Sequence, residues 1–150
     1  MNLSFADTLY FKKENILEII LGLHRSYKFL QREIQNCCEL YNLTFNELLV
    51  LIEISKKYNK KVDIANKVHL KKQNLNLILK DLKAKNIIIS ETKWVLEKNK
   101  KISKDKLSIT DEGYEIMEKT INRINEKIIK IFQKTDPKNM AGFINIIESL

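Results

Sequence analysis

Between Asn15 and Tyr41 the apolar side chains stand at Ile16, Ile20, Leu23, Tyr27, Leu30, Ile34, Cys37 and Tyr41, at intervals that alternate between 4 and 3. That alternation gathers them onto one stripe of a long α-helix, the pattern of a helix packed lengthwise along another helix. Leu17, Leu21 and Phe29 widen the stripe, so the helix should touch more than one neighbour. A small domain cannot cover a stripe of this length alone, which points to a second copy of the chain. Met117, Ile121, Ile124, Ile128 and Ile131 repeat the spacing towards the other end. Two long striped helices therefore flank whatever lies between Asn42 and Thr110.

The intervening sequence breaks into short elements. Asn42-Leu43-Thr44 ends the first helix, and Thr44 with Glu47 three residues later forms a capping box. Phe45, Leu48, Leu49, Leu51, Ile52 and Ile54 make the next helix apolar almost all round, as a central buried helix would be. A polar turn, Ser55 to Lys61, leads to a short helix over Val62–Val68 with Ile64, Ala65 and Val68 inward. The following helix, Lys72–Lys85, has Leu75, Ile78, Leu79 and Leu82 on its core face. Lys72, Gln73, Asn76, Lys80 and Lys83 occupy the opposite face. Asn86 is suited to the left-handed residue that ends a helix.

Ile87-Ile88-Ile89 begins a strand running to Leu96, with Ile88, Ser90, Thr92, Trp94 and Leu96 on one face. The polar run Glu97–Asp105 reads as a lysine-rich loop leading to a second strand, Lys106–Thr110, and the pair makes a β-hairpin wing. Thr110 caps the helix that follows, with Asp111 and Glu112 in its first turn. Asp136-Pro137 opens a last helix carrying Met140, Phe143, Ile144, Ile147 and Leu150. Met1–Glu14 reads as a short leading helix or an extension of the next one, with Ser4 and Asp7 resembling a capping box.

Composition narrows the function. With 3 Gly and 1 Pro in 150 residues, little punctuation is left for an all-β fold, and a mainly helical single domain follows. No apolar run approaches the ~18 residues of a membrane span, and no secretion signal is evident; the expected location is the cytoplasm. Cys37 and Cys38 have no partners at ligand-like spacing, so they read as buried thiols on a helix, a redox switch between subunits being the alternative. No phosphate loop, metal cluster or nucleophile motif is present, so no catalytic role, metal or cofactor is expected.

The formal charge is +8, and it is unevenly placed. From Lys56 to Lys106 there are 16 Lys against 5 acids, while the remainder of the chain is slightly acidic. A domain polarised in this way usually faces a polyanion. The helix opening at Lys71 and Lys72 supplies cations and amides where a helix enters a DNA major groove. Gln73, Asn74 and Asn76 are the candidate base readers. Lys71, Lys72 and Lys80, with Lys98, Lys100, Lys101 and Lys104 of the wing, are candidate phosphate anchors.

The ordered set of these features resembles the MarR family of winged helix-turn-helix regulators. The resemblance rests on Asn42-Leu43-Thr44, on Ile64-Ala65, on Leu82 followed by Asn86-Ile87-Ile88, and on Leu107-Ser108-Ile109-Thr110-Asp111-Glu112-Gly113, similar to the family's Thr-x-x-Gly signature. It spans about Leu17 to Leu150. The family carries Gly where Asn86 stands and an Asp-Arg-rich wing; this wing has no arginine and is about five residues longer. Lysine carries a more strongly hydrated charge than the arginine that family wings insert into the minor groove. Redox-sensing relatives hold a reactive Cys at a position that falls near Ile19 here, so that role is not carried over to Cys37 or Cys38.

The resemblance implies residues 1–41 and 111–150 as dimerisation helices around a winged helix-turn-helix at 42–110. It also implies a homodimer, a palindromic double-stranded DNA operator, repression and a small-molecule effector. Such effectors lie between the dimerisation helices and the winged domain, where His24, Tyr27, Tyr58 and Trp94 could fall, although aromatics at helical spacing are more often packing. The competing reading is a winged-helix protein-interaction module without specific DNA binding.

Overall fold

The computed structural model describes residues 13–56, 60–97, 100–133 and 136–149. Helix α1 (Lys13–Glu39) leads into α2 (Phe45–Ser55), α3 (Lys61–Lys67) and α4 (Lys72–Ala84). A two-stranded antiparallel hairpin follows, β1 (Ile88–Glu97) with β2 (Lys100–Ile109), and α5 (Asp111–Phe132) and α6 (Pro137–Ser149) complete the order. The sequence expectation of a mainly α chain with a small β-hairpin wing is met. The expectations for Met1–Lys12, Tyr58 and Lys98 lie outside the described residues.

The core sits in the middle of the chain. Leu43, Leu48, Val50, Leu51, Ile54, Ile64, Ala65, Leu75, Leu79, Leu82, Ile87, Ile88, Leu107 and Ile109 are buried in one cluster that also takes in Cys38. Helix α2 is its centre, as its nearly continuous apolar surface requires, and α3, α4 and the base of the hairpin pack around it. The C-terminal half of α1 lies along α5, where Glu33 pairs with Lys127 at 3.1 Å. The other half of α1 is bare: Ile16, Leu17, Ile19, Ile20, Leu21 and Leu23 are all exposed in the single chain.

Helix ends are set by local chemistry. Thr44 Oγ1 accepts from the Glu47 N–H at 3.2 Å, and the Glu47 carboxylate accepts from the Thr44 N–H at 2.7 Å, completing the capping box. Thr110 Oγ1 likewise accepts from the Gly113 N–H at 2.9 Å, and Asp136 Oδ1 from the Lys138 N–H at 2.8 Å. At the other ends of α1, α3 and α4 the chain turns through Asn42, His69 and Asn86, with φ of 58°, 52° and 57°. Each is followed by an apolar residue whose N–H reaches five residues back: Leu43 to Cys38, Leu70 to Ala65, Ile87 to Leu82. These are Schellman-type closures built without glycine.

One expectation is corrected. The run Glu97–Asp105 is not a loop: β2 starts at Lys100, and the ladder continues from Ile88↔Ile109 out to Glu97↔Lys100. The polar side chains hid the strand because a hairpin ladder is held by backbone hydrogen bonds, and outside the core neither face has to be apolar. Lys100, Lys101 and Lys104 therefore belong to a strand of the wing and not to a loop.

Candidate nucleic-acid interface

Helices α3 and α4 form a helix-turn-helix around the left-handed His69. Leu75, Leu79 and Leu82 are buried and Ile78 is partly so, which fixes the rotation of α4 about its axis. At 3.6 residues per turn, the strip opposite this core face is Gln73, Leu77 and Lys80, with Asn74 and Asn76 flanking it on either side. Lys71, Lys72, Gln73, Asn74, Asn76 and Lys80 are all exposed. The first turn of α4 holds no acid, and its N-cap Lys71 makes no side-chain capping bond. The N–H groups there keep their partial positive charge on the side where the cations gather.

Leu77 escaped the sequence reading. It is 62% exposed, in the middle of the outward strip between Gln73 and Lys80. The signal was available: position 77 follows Gln73 by four and precedes Lys80 by three. An exposed aliphatic group on such a face can meet a thymine methyl.

The C-terminal end of α4 is anchored by Lys85, whose Nζ donates to both Glu47 carboxylate oxygens (2.7 and 2.9 Å) and to the Asn42 carbonyl (2.8 Å). The Glu47 side chain is almost fully buried, and its carboxylate also closes the capping box of α2. One ammonium thus joins the end of α1, the start of α2 and the end of α4. Beyond it, the Asn86 side chain donates to Glu112 at 3.1 Å, while the Thr110 hydroxyl donates to the Asn86 carbonyl at 2.8 Å. These contacts fix the wing base and the start of α5 to the end of α4.

A second feature lies on the other side of α2. Helices α1, α2 and α5 form an open cleft of about 370 Å³, lined by Phe45, Leu48, Leu49, Ile52, Met117 and Ile121 and also by Ser55. Of the aromatics considered for an effector, His24, Tyr27 and Trp94 do not line it. Cys37 and Cys38 are both buried free thiols, and burial, ahead of the neighbouring Cys37, Glu39 and Glu47, pushes the Cys38 thiol up to about 11. The reading of these residues as packed thiols stands. Among the described residues no helix is long and apolar enough to cross a membrane, and no cluster of potential metal ligands occurs.

No family model and no curated protein matches the sequence. Solved structures do match along nearly the whole chain. Staphylococcus aureus MarR in complex with salicylate and kanamycin superposes with a TM-score of 0.75 at 19% identity, over 91% of this chain and 90% of its own. A MarR family protein from Bacillus stearothermophilus gives 0.74 at 11% identity, over 93% and 94%. A Mycobacterium tuberculosis MarR family protein bound to p-aminosalicylic acid gives 0.64 at 14% identity, over 86% and 95%. The chain has the fold of the MarR family of winged helix-turn-helix regulators.

Proposed function

We propose that the protein is a sequence-specific DNA-binding transcriptional regulator, a homodimer that represses from a palindromic operator until a small molecule releases it. The observation that carries this reading is the outward face of α4, where amides and lysines are exposed around an uncapped helix start without an acid in the first turn. Gln73, Asn74 and Asn76 would read base edges, amides being able to pair bidentately with adenine, and Leu77 would meet thymine methyls. Lys71, Lys72 and Lys80, with Lys98, Lys100, Lys101 and Lys104 of the wing, would hold phosphates and set the register.

The exposed apolar half of α1, together with Ile144, Ile146 and Ile147 on α6, supports dimerisation through residues 1–41 and 111–150. A two-fold dimer sets two copies of α4 roughly one helical turn of DNA apart. The cleft between α1, α2 and α5 is where an effector would act, because a ligand wedged there alters the seating of α2, to which α4 is anchored through Glu47 and Lys85. Relatives of the same fold were solved with salicylate and p-aminosalicylic acid. The described residues lining the cleft of this chain include no cation, which favours a neutral apolar effector over an acid.

Titration of a labelled random duplex at several salt concentrations tests the DNA reading. Affinity should fall steeply with salt, with a log–log slope of about −0.9 for each phosphate neutralised. A protein-interaction module would give no salt-dependent duplex binding at all.

A further inference from the structure

Lys85 differs from the other lysines of the α4 region. Lys71, Lys72, Lys80 and Lys83 are exposed, whereas the Lys85 side chain keeps only 26% of its surface. An ammonium has three N–H donors and no acceptor. Three acceptors surround this one: both oxygens of the Glu47 carboxylate, at 2.7 and 2.9 Å, and the Asn42 carbonyl at 2.8 Å. The Glu47 side chain is 4% exposed, and Lys85 balances its charge. Neither a donor nor a net charge is left over for a phosphate.

We infer that Lys85 is a positioning residue that sets the tilt and spacing of the two recognition helices in the DNA-bound dimer, and is not itself a DNA contact. The inference rests on the dimeric DNA-binding reading above. Leu75, Leu79 and Leu82 fix the rotation of α4, but apolar burial is non-directional and holds tilt and axial position less firmly. The Lys85 contacts are directional. Asn42 stands in the turn between α1 and α2, and Glu47 lies in the first turn of α2, so the contacts tie the end of α4 to the dimerisation helix α1. At 1.5 Å per residue, Asn74 stands ~16 Å along the helix axis from Lys85. A tilt of ~5° about that end would carry Asn74 by ~1.4 Å, enough to take a base-edge hydrogen bond out of its range of roughly 2.7–3.2 Å. Flexible lysine stems can follow a phosphate through the same shift. Sequence reading and half-site spacing therefore depend on Lys85, while unspecific attraction to duplex does not.

The test combines Lys85→Met with Glu47→Gln. Glutamine can keep the capping box of α2, and no charge is left buried without a partner. Three classes of duplex are compared: one selected from a random pool by the parent chain, the same duplex with its half-sites moved by one base pair, and random sequence. The double variant should bind random duplex within about twofold of the parent and with the same salt slope. It should bind the selected duplex about ten- to a hundredfold more weakly, as the loss of a base contact would give. It should also discriminate less against the altered spacing. Lys85→Arg, whose guanidinium can still donate to Glu47, should recover most of the affinity for the selected duplex. A merely less stable fold weakens binding to all duplexes alike, so the ratio of selected to random separates positioning from stability.

An unchanged ratio and an unchanged spacing preference in the double variant would overturn the inference and leave the regulator reading intact. Weaker binding to every duplex, with a salt slope flatter by about one unit, would make Lys85 a phosphate anchor instead. A parent chain that selects no duplex sequence would remove the regulator reading, and this inference with it.

Discussion

Gly113 lies hard against the wing base, and replacing it with Ala measures how firmly that base is joined to α5. A Cβ at this position would stand 2.2 Å from the Ile87 carbonyl oxygen and 2.8 Å from Ile109 Cγ2, where real contacts essentially never fall below 3.0 Å. Backbone must therefore move by ~0.8 Å or more. The same carbonyl accepts from the Thr110 N–H at 3.0 Å and from the Thr110 hydroxyl at 3.2 Å, so the movement strains the N-cap of α5 as well. Overpacking of this kind costs roughly 1–3 kcal/mol, and each weakened hydrogen bond about 1 kcal/mol more. Alanine returns about 1 kcal/mol through its higher helix propensity. The net loss is roughly 2–4 kcal/mol. For a chain of this length that lowers Tm by roughly 4–16 °C. Thermal melts of Gly113→Ala and the parent, followed by circular dichroism at matched protein concentration, read the difference directly. A Tm within a degree or two of the parent, or above it, would refute the close approach of α5 to Ile87.

Glu47→Ala removes the acceptor that holds Lys85 and half of the α2 capping box, and should cost about 2–3 kcal/mol in chemical denaturation. Lys85 is partly exposed and can turn to water, which keeps the loss below that of a fully buried pair. Lys100→Ala with Lys101→Ala should weaken binding to all duplexes alike and flatten the salt slope by about 2 units, while Asn74→Ala should cost sequence preference, by about 1–3 kcal/mol, and leave the slope unchanged. Cys38 sets an alkaline limit. Its thiol is held near 11 in the fold against an ordinary 9.0, so the unfolded chain loses this proton first. Its contribution is constant below pH 9.0 and is lost as pH rises from there towards about 11. Cys38→Ser or Cys38→Ala denaturation curves from pH 8 to 11 should lack that part of the alkaline decline, and a decline identical to the parent's would exclude Cys38 as its source.

Features encoded over a few residues were legible in the sequence. Thr44 and Glu47 are three apart and capped α2 as their chemistry requires, and the left-handed Asn86 followed from the same kind of local argument. The core face of α4 was written in the period of Leu75, Leu79 and Leu82. What escaped depended on residues distant in the chain or on backbone alone. The Lys85–Glu47 contact joins positions 38 apart, and nothing local to either residue announces it. The outer part of β2, Lys100–Asp105, is held in the ladder through its main chain, and its sequence, polar but for Ile102, carried no apolar alternation. Leu77 was overlooked because apolar residues in an amphipathic helix are assigned inward by default, yet its position places it among the amides.

In the proposed function, α4 reads DNA sequence as one of a symmetric pair. Selection of bound duplexes from a random pool, with the full chain at near-physiological salt, tests it most directly. The expected product is an inverted repeat with half-sites centred about 10 base pairs apart. Sequence preference should weaken in Gln73→Ala and Asn74→Ala while residual duplex binding survives. Recovery of unenriched sequence, or of a single half-site without symmetry, would contradict it.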